Sequence, residues 1–210
     1  MDNYTLFTIG HSNQSQEDFL ELLKRHGINC IVDVRSVPAS KYTPQFNLEN
    51  LKWFLKANNI QYLHFGDEFG ARRTDCLNDK GQVDFELVAK SPLFIQGTKR
   101  LTRGQEKGFH ISLMCSEANP LECHRFSLVS SFFHEMGQKV LHIQKDGELA
   151  SHASLEKLMI EEYLHSKKHL LPEVDQLFGT YKEEDQRRDA YRLKNKEIGY
   201  IPQLELNKIY

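Results

Sequence analysis

Short apolar runs alternate with helical patterns along the first two thirds of the chain. Five runs have the length of buried strands, and they cover residues 4–9, 28–34, 60–65, 111–114 and 140–143. The intervening segments have apolar residues at helical spacing, as in Phe19, Leu20, Leu22 and Leu23. Neighbouring parallel strands need a crossover of about a dozen residues, which is usually a helix. We therefore predict an α/β fold with a mostly parallel five-stranded sheet and helices on both faces.

Residues with known preferences for helix ends fit this pattern. Gly27, Gly108 and Gly137 each follow a helical pattern and precede an apolar run, as glycine does where a helix ends in the left-handed conformation. Asn47 is a suitable cap for a second helix, and Ser91-Pro92 pairs a cap with a proline at the first helical position. Lys145-Asp146-Gly147-Glu148 has the composition of a turn.

The chain of 210 residues is long enough for one sizeable core with an extension. We predict an α/β domain over residues 1–165 and a polar, charged, helical extension over 166–210. Within the extension, Glu183-Glu184-Asp185 lies close to Arg187-Arg188, which is typical of a solvated helix. An arm that binds nucleic acid is the alternative interpretation.

Charge and hydropathy exclude several classes of partner. The 27 Lys and Arg residues and 29 Asp and Glu residues give a net charge of −2, so attraction for anions must be local. We find no apolar stretch of about 20 residues and no signal peptide, and we expect a cytoplasmic protein without a membrane partner. Four cysteines are too few for a disulfide framework. No feature indicates an oligomeric state.

Reactive side chains follow the predicted strands. Ligands bind outside the carboxyl ends of the strands in open parallel sheets, so these residues are candidates for one site. The candidates are His11 and Ser12 after the first strand, Asp33 and Arg35 at the second, and Cys115 and Glu117 at the fourth. Each residue alone also has a structural interpretation, as a cap, a loop contact or a small apolar side chain. Together they favour a functional site.

The segment from Cys115 to Arg125 is the most informative. A buried strand leads to Cys115, and a helical pattern begins near His124, which places His124 and Arg125 in a first helical turn. Free amide groups there attract an anion or a thiolate, so the thiol pKa of Cys115 or Cys123 is expected to be lowered. The Cys-x7-Cys-His spacing is not a recognised zinc motif, and we assign no metal ligand. A transition-metal site that uses His11, Cys123 or His124 is the alternative.

These motifs resemble the domain of unknown function 488 family. The resemblance covers roughly residues 4–155 and rests on Thr8-Ile9-Gly10-His11-Ser12, Val32-Asp33-Val34-Arg35-Ser36 with Pro38 and Ser40, Cys115-Ser116-Glu117, Cys123-His124-Arg125, and His142-Ile143 with Asp146-Gly147. It implies a compact α/β domain with the Cys-His-Arg loop near the site, and it implies no reaction. The family loop often begins Cys-Ala-Glu, where this chain has Ser116.

The leading functional hypothesis is an enzyme that acts on an anionic small molecule or a nucleic-acid end. We expect Cys115 to be the nucleophile or to lie next to the nucleophile, and His11 or His124 to be the general base. Asp33 is expected to orient a histidine. Glu117 joins the catalytic group, and Ser12, Arg35, Arg125 and Cys123 are expected to bind the substrate. We identify no dedicated cofactor motif. A non-catalytic nucleotide or nucleic-acid binding module and a thiol or metal redox sensor remain open.

Overall fold

A six-stranded sheet forms the centre of the computed structural model, which describes residues 4–167 and 181–202. The strands are β1 (Thr5–Gly10), β2 (Cys30–Asp33), β3 (Gln61–His64), β4 (Ile111–Cys115), β5 (Lys139–Ile143) and β6 (Leu149–Ser151). Their order across the sheet is β3-β2-β4-β1-β5-β6. β1 to β5 are parallel, and β6 pairs antiparallel with β5.

Helices connect most of the strands. The α-helices are α1 (Gln16–Arg25), α2 (Leu48–Ala57), α3 (Gly66–Phe69), α4 (Phe85–Lys90), α5 (Pro92–Glu106), α6 (Ser131–Glu135), α7 (His152–Lys167) and α8 (Glu183–Ile198). Short 3₁₀ turns cover Pro44–Phe46 and Pro120–Glu122. A π-helical segment, Arg125–Ser130, runs directly into α6. Among the described residues, no helix is long and apolar enough to cross a membrane.

The predicted α/β class and the five parallel strands are confirmed, but the strand count was one too low. β6 has only three residues, and its sequence Leu149-Ala150-Ser151 contains no apolar run. The turn predicted at residues 145–148 is present, since the Gly147 amide donates to the Gln144 carbonyl. This turn allows the chain to reverse, so β6 lies antiparallel to β5 without a helical crossover.

Both faces of the sheet are covered by helices. On one face, Phe19 and Leu23 of α1 and Leu51 and Leu55 of α2 pack against Ile31. On the other face, the apolar side chains of α3, α4 and α5 and of the helix that starts at Arg125 pack against Cys30, Val32 and Leu113. Residues 30, 31 and 32 therefore alternate between the two cores, as a strand requires.

The residues that mark helix ends act largely as predicted. Gly27 has a φ of 66° and Gly108 a φ of 85°, which are left-handed values that glycine adopts without strain. Ser91 caps α5 by accepting the Phe94 amide, and Pro92 occupies the first turn. Asn47 is the cap residue of α2, but its side-chain oxygen accepts the Ser40 amide at 2.6 Å instead of an amide of the helix.

The described part of the C-terminal extension packs on the core. Ala190 of α8 is buried with Phe126 and Met159, and Arg187 forms ion pairs with Glu156 and Glu135. The charges of α8 are therefore partly neutralised within the chain, which favours the solvated helix over a nucleic-acid arm. The domain boundary at residue 165 remains a prediction, and residues 168–180 and 203–210 lie outside the described residues.

A chain of hydrogen bonds links β1 to the two C-terminal helices. Tyr191 donates to the Glu156 carboxylate at 2.7 Å, so its oxygen accepts from His152 Nε2 at 2.9 Å. His152 Nδ1 then accepts from His142 Nε2 at 3.2 Å, and His142 Nδ1 accepts from the Thr8 hydroxyl at 2.8 Å. Each imidazole holds one proton in this arrangement, and both rings are neutral. Burial lowers the pKa of His152 to about 3 and also lowers that of His142.

These neutral histidines predict a loss of stability in acid. The unfolded chain protonates them below a pKa of about 6.5, whereas the folded protein does not, so the free energy of unfolding falls as the pH drops. Between pH 7 and pH 5, His152 alone is expected to account for about 2 kcal/mol. Urea unfolding at the two pH values measures this difference. In the variant His152→Gln, we expect the free energy of unfolding to fall by about 2 kcal/mol less between the two pH values than in the unmodified protein. In the control His110→Gln, at an exposed site, we expect the same fall as in the unmodified protein.

Candidate active site

Two hydrogen-bonded clusters lie side by side at the carboxyl edge of the sheet. We call them the arginine cluster, which contains His11, Asp33 and Arg35, and the thiol cluster, which contains Cys115, Glu117, Cys123 and His124. The sequence predicted that these residues and Arg125 share one pocket. The structure brings each group together internally, and the main-chain carbonyl of Val34 connects them.

All three side-chain nitrogens of Arg35 donate hydrogen bonds, to the other members of the arginine cluster and to one neighbouring carbonyl. Its Nε donates to Asp33 Oδ1 at 2.9 Å, and its Nη2 donates to Asp33 Oδ2 at 2.6 Å and to the Phe46 carbonyl at 2.8 Å. Its Nη1 donates to His11 Nε2 at 3.1 Å. Tyr62 completes the shell of Asp33 with a bond of 2.7 Å. This geometry makes Arg35 a structural partner of Asp33, where the sequence analysis expected a substrate-binding residue.

His11 is held as a neutral ring with both nitrogens occupied. Nε2 accepts from Arg35, so Nδ1 carries the proton and donates to the Ser12 carbonyl at 2.8 Å. The ring also stacks on Phe46 with centroids 4.4 Å apart. Burial, followed by the charge of Arg35, lowers the pKa of His11 to about 4. The geometry therefore does not favour His11 as a general base, and Asp33 orients Arg35 instead of a histidine.

The thiol cluster joins the end of β4 to the start of the helix at Arg125. Cys115 is the last residue of β4, and its Sγ lies 3.1 Å from Glu117 Oε2 and 3.8 Å from His124 Nδ1. Cys123 Sγ lies 3.9 Å from the same nitrogen. The two sulfurs and Nδ1 all lie within 4.8 Å of one another. Both cysteines and His124 are buried.

The tautomer of His124 follows from its second nitrogen. Nε2 lies 3.0 Å from the carbonyl oxygen of Val34, which only accepts hydrogen bonds, so Nε2 carries a proton. When the ring is neutral, the lone pair of Nδ1 therefore faces the two sulfurs. His124 is thus placed to accept a proton from a thiol or to bind a metal ion, whereas His11 has no free nitrogen.

The environment favours a thiolate at Cys123 and a neutral thiol at Cys115. Burial alone raises the pKa of Cys123, but the hydrogen bond from Cys115 and the charges of Arg125 and His124 outweigh it and hold the pKa well below its usual value. The hydrogen bond with Cys123, together with burial, raises the pKa of Cys115. Burial also lowers the pKa of His124, but Cys123 reverses this effect and the net pKa is raised. The sequence analysis expected Cys115 to be the nucleophile or its neighbour, whereas these effects favour the thiolate form at Cys123.

Arg125 is fully buried beneath the thiol cluster. Its Nη1 donates to the Glu117 carbonyl at 2.6 Å and its Nη2 to the Ala118 carbonyl at 3.0 Å. Within residues 4–167 and 181–202, it has no carboxylate partner, and its buried Nε has no hydrogen bond. Arg125 therefore contributes positive charge to the site without contacting solvent. The sequence analysis expected it to bind the substrate, which stays a prediction.

The loop held by Arg125 crosses β1 at Gly10. A Cβ at residue 10 would overlap the carbonyl oxygen of Glu117, so only glycine allows the two backbones to approach this closely. Past this crossing, the Ser12 amide donates to the Ser116 carbonyl at 2.8 Å, and Ser12 has a φ of 48°. Ser12 is half-buried, and its hydroxyl lies 3.4 Å from Asn13 Oδ1. No contact assigns it a role in binding.

Sequence reasoning missed three partners of the site residues. Tyr62 binds Asp33, Phe46 stacks on His11, and the Val34 carbonyl orients His124. The polar hydroxyl of Tyr62 within a predicted strand was a weak signal. Phe46 lies in a loop before α2, and a carbonyl leaves no mark in the sequence, so neither was accessible.

Arg35→Lys tests the structural assignment of Arg35. Lysine keeps the charge but loses the planar fork that binds Asp33, so we expect the free energy of unfolding to fall by about 1.5–3 kcal/mol. Thermal and urea unfolding measure this change. The matched control is Arg25→Lys, which alters an exposed ion pair with Glu148 and should change stability by less than about 1 kcal/mol. Equal stability of both variants would contradict the assignment.

Comparisons with known proteins identify the family. The model of the family described as Domain of unknown function DUF488 matches residues 15–132, which is more than half of the chain. The match includes the thiol cluster, Asp33, Arg35 and Arg125, and it begins after His11 and Ser12. No curated protein matches the chain. No solved structure matches it either. On the family match, the chain belongs to the DUF488 family.

Proposed function

We propose that the protein is an enzyme that acts on an anionic substrate through the thiolate of Cys123. The main support for this proposal is the position of Cys123 Sγ. This sulfur accepts a hydrogen bond from the Arg125 amide at 3.4 Å and lies 3.9 Å from His124 Nδ1. The continuous helix formed by residues 125–135 begins two residues after Cys123, so its first amide groups lie close to this sulfur. Amide groups at a helix start and a nearby imidazole are the features that stabilise reactive thiolates in proteins.

The roles of the surrounding residues follow from their contacts. His124 holds the proton given up by Cys123. When the thiolate attacks an electrophilic carbon or phosphorus, a bond to sulfur forms, the bond to the leaving group breaks, and His124 supplies the proton that the leaving group needs. Cys115 remains protonated, and its Sγ lies 3.1 Å from Glu117 Oε2. In this proposal Cys115 is a neighbour of the nucleophile.

Glu117 provides the route by which a substrate approaches. The residue is exposed overall, but its carboxyl end lies against Cys115 Sγ, so the thiol cluster is only one side chain below the surface. Burial of this end, together with the nearby Cys123, raises the pKa of the Glu117 carboxyl. In this proposal, movement of Glu117 toward solvent opens a path to the thiol cluster from the side of Cys115.

The preference for an anion rests on Arg125 and the start of its helix. The guanidinium charge has no carboxylate partner among the described residues, and the adjacent helix start adds positive potential. Arg35 does not contribute to this preference, because Asp33 neutralises it. A phosphate-bearing small molecule, a nucleotide or a nucleic-acid end fits this chemistry. A module that binds such an anion without thiol chemistry is the competing function.

Two alkylating agents that differ only in charge test the proposal. Iodoacetamide is neutral and iodoacetate is an anion, and peptide mass spectrometry measures their rates at each cysteine of the reduced, chelator-treated protein at pH 7. We expect Cys123 to react at least tenfold faster than Cys30, whose pKa burial raises to about 11. We also expect the ratio of the iodoacetate rate to the iodoacetamide rate to be higher at Cys123 than for free cysteine.

The other cysteines serve as internal standards. The pKa of Cys30 is shifted by burial alone, so its rate ratio reports the behaviour of an ordinary buried thiol. Cys76 Sγ lies 4.0 Å from the Arg73 guanidinium, so its rate ratio reports a thiol beside a different arginine. A rate at Cys123 no greater than at Cys30 and Cys76 would contradict the nucleophile and favour the binding module. A fast reaction at Cys123 without preference for iodoacetate would contradict the anionic substrate.

A further inference from the structure

We infer that Cys115, Cys123 and His124 form a binding site for a divalent transition metal ion of the zinc class. This inference goes beyond the proposed function, because it rests on the arrangement of the three ligand atoms and requires no reaction at Cys123. Cys115 comes from the end of β4, and the other two residues come from the start of the following helix. The fold thus brings together ligands whose spacing matches no known zinc motif.

The separations of the ligand atoms suit tetrahedral coordination. With zinc–sulfur bonds of about 2.3 Å and zinc–nitrogen bonds of about 2.0 Å, a sulfur and a nitrogen on one tetrahedral ion lie roughly 3.6 Å apart. The two sulfurs lie 3.8 and 3.9 Å from His124 Nδ1. All three atoms lie within 4.8 Å of one another. Small movements of the side chains would bring the three atoms into the coordination shell of one ion.

The contacts around the ligands are those that metal sites use. His124 donates its Nε2 proton to the Val34 carbonyl, which fixes the ring so that Nδ1 points between the sulfurs. Metal-bound histidines commonly have such a partner on the second nitrogen. The Arg125 amide donates to Cys123 Sγ at 3.4 Å, which fixes the second ligand. The ligand atoms are therefore already oriented by the protein.

Charge and ligand type indicate which ions fit. Two thiolates neutralise the charge of a divalent ion. Glu117 Oε2, which lies 3.1 Å from Cys115 Sγ, is the nearest candidate for a fourth ligand. Two sulfurs and an imidazole favour zinc, cobalt or copper over magnesium and calcium, which require oxygen ligands.

Metal binding and the proposed reaction compete for the same sulfur. A Cys123 thiolate that donates its electron pair to a metal ion is not available as a nucleophile. The inferred site would therefore place the thiol chemistry under the control of metal availability, with a free form that reacts and a loaded form that does not.

Titration with Co²⁺ tests the site directly. The full-length, reduced protein is treated with chelator, exchanged into metal-free buffer and titrated with Co²⁺ in a spectrophotometer. We expect the intense visible bands of tetrahedral Co²⁺ and a thiolate-to-cobalt charge-transfer band, both saturating at one ion per chain. Zn²⁺ added afterwards should remove these bands. A weak octahedral spectrum without charge transfer would overturn the inference.

Variants identify the ligands. Cys123→Ser and His124→Gln are each expected to weaken Co²⁺ binding by at least tenfold, whereas Cys76→Ser, at a thiol outside the cluster, leaves it unchanged. Circular dichroism checks that each variant is folded. Tetrahedral spectra that persist in folded Cys123→Ser and His124→Gln would place the ion elsewhere and overturn the assignment.

Protection from alkylation tests the site without any substitution. Stoichiometric Zn²⁺ should slow the reaction of iodoacetamide with Cys115 and Cys123 at least tenfold and leave Cys76 unaffected. Equal rates with and without Zn²⁺ at the cluster would contradict the inference. The outcomes separate the two proposals, since Co²⁺ binding with an unreactive Cys123 would support the metal site alone. A reactive Cys123 without tetrahedral Co²⁺ would support only the enzyme.

Discussion

The buried guanidinium of Arg125 determines how the candidate site is assembled. By donating to the carbonyls of Glu117 and Ala118, it fixes the loop that follows β4 and places Cys123 beside Cys115. A fully buried cation is costly unless an anion compensates it, and no carboxylate pairs with this one in the described parts of the chain. The positive charge of Arg125 helps to lower the pKa of the Cys123 thiol, and the resulting thiolate can compensate the cation. The same interaction therefore accounts for the loop conformation and for the unequal protonation of the two thiols.

The arginine cluster supports the thiol cluster through one peptide group. Asp33 and Arg35 bind each other on either side of Val34, and this pair fixes the backbone at the end of β2. The Val34 carbonyl then accepts the His124 proton and sets the direction of Nδ1. His11, Asp33 and Arg35 thus hold the backbone that orients His124. The sequence analysis had predicted His11 and Asp33 as catalytic residues and Arg35 as a substrate-binding residue.

The sequence allowed us to predict which side chains meet at the carboxyl edge of the sheet, but not how they pair with one another. Strand ends are visible as transitions from apolar runs to polar residues, so His11, Asp33 and Cys115 were found from one rule about parallel sheets. Which side of the sheet each side chain enters depends on register and on the loop held by Arg125. Burial and hydrogen bonding then decide protonation, and these effects separate Cys123 from Cys115 and His124 from His11. Local patterns contain none of this information. The strand β6 was missed for a similar reason, because its pairing with β5 depends on the turn that precedes it and not on an apolar pattern of its own.

The thiol cluster has two chemical states that follow from the same geometry. With a proton shared near Cys115, Cys123 and His124, the cluster holds a thiolate and an imidazolium, and Arg125 stabilises the negative charge. With a divalent ion bound, Cys115 and the His124 ring each give up one proton to solvent, so both sulfurs are thiolates and the ring is neutral. The orientation of His124 by Val34 serves either state, since Nδ1 faces the sulfurs in both. The residues around the cluster therefore need not rearrange between the two states. Occupancy depends on the competition between protons and metal ions for the two sulfurs, which is why burial and charge at Cys123 decide the chemistry of this protein.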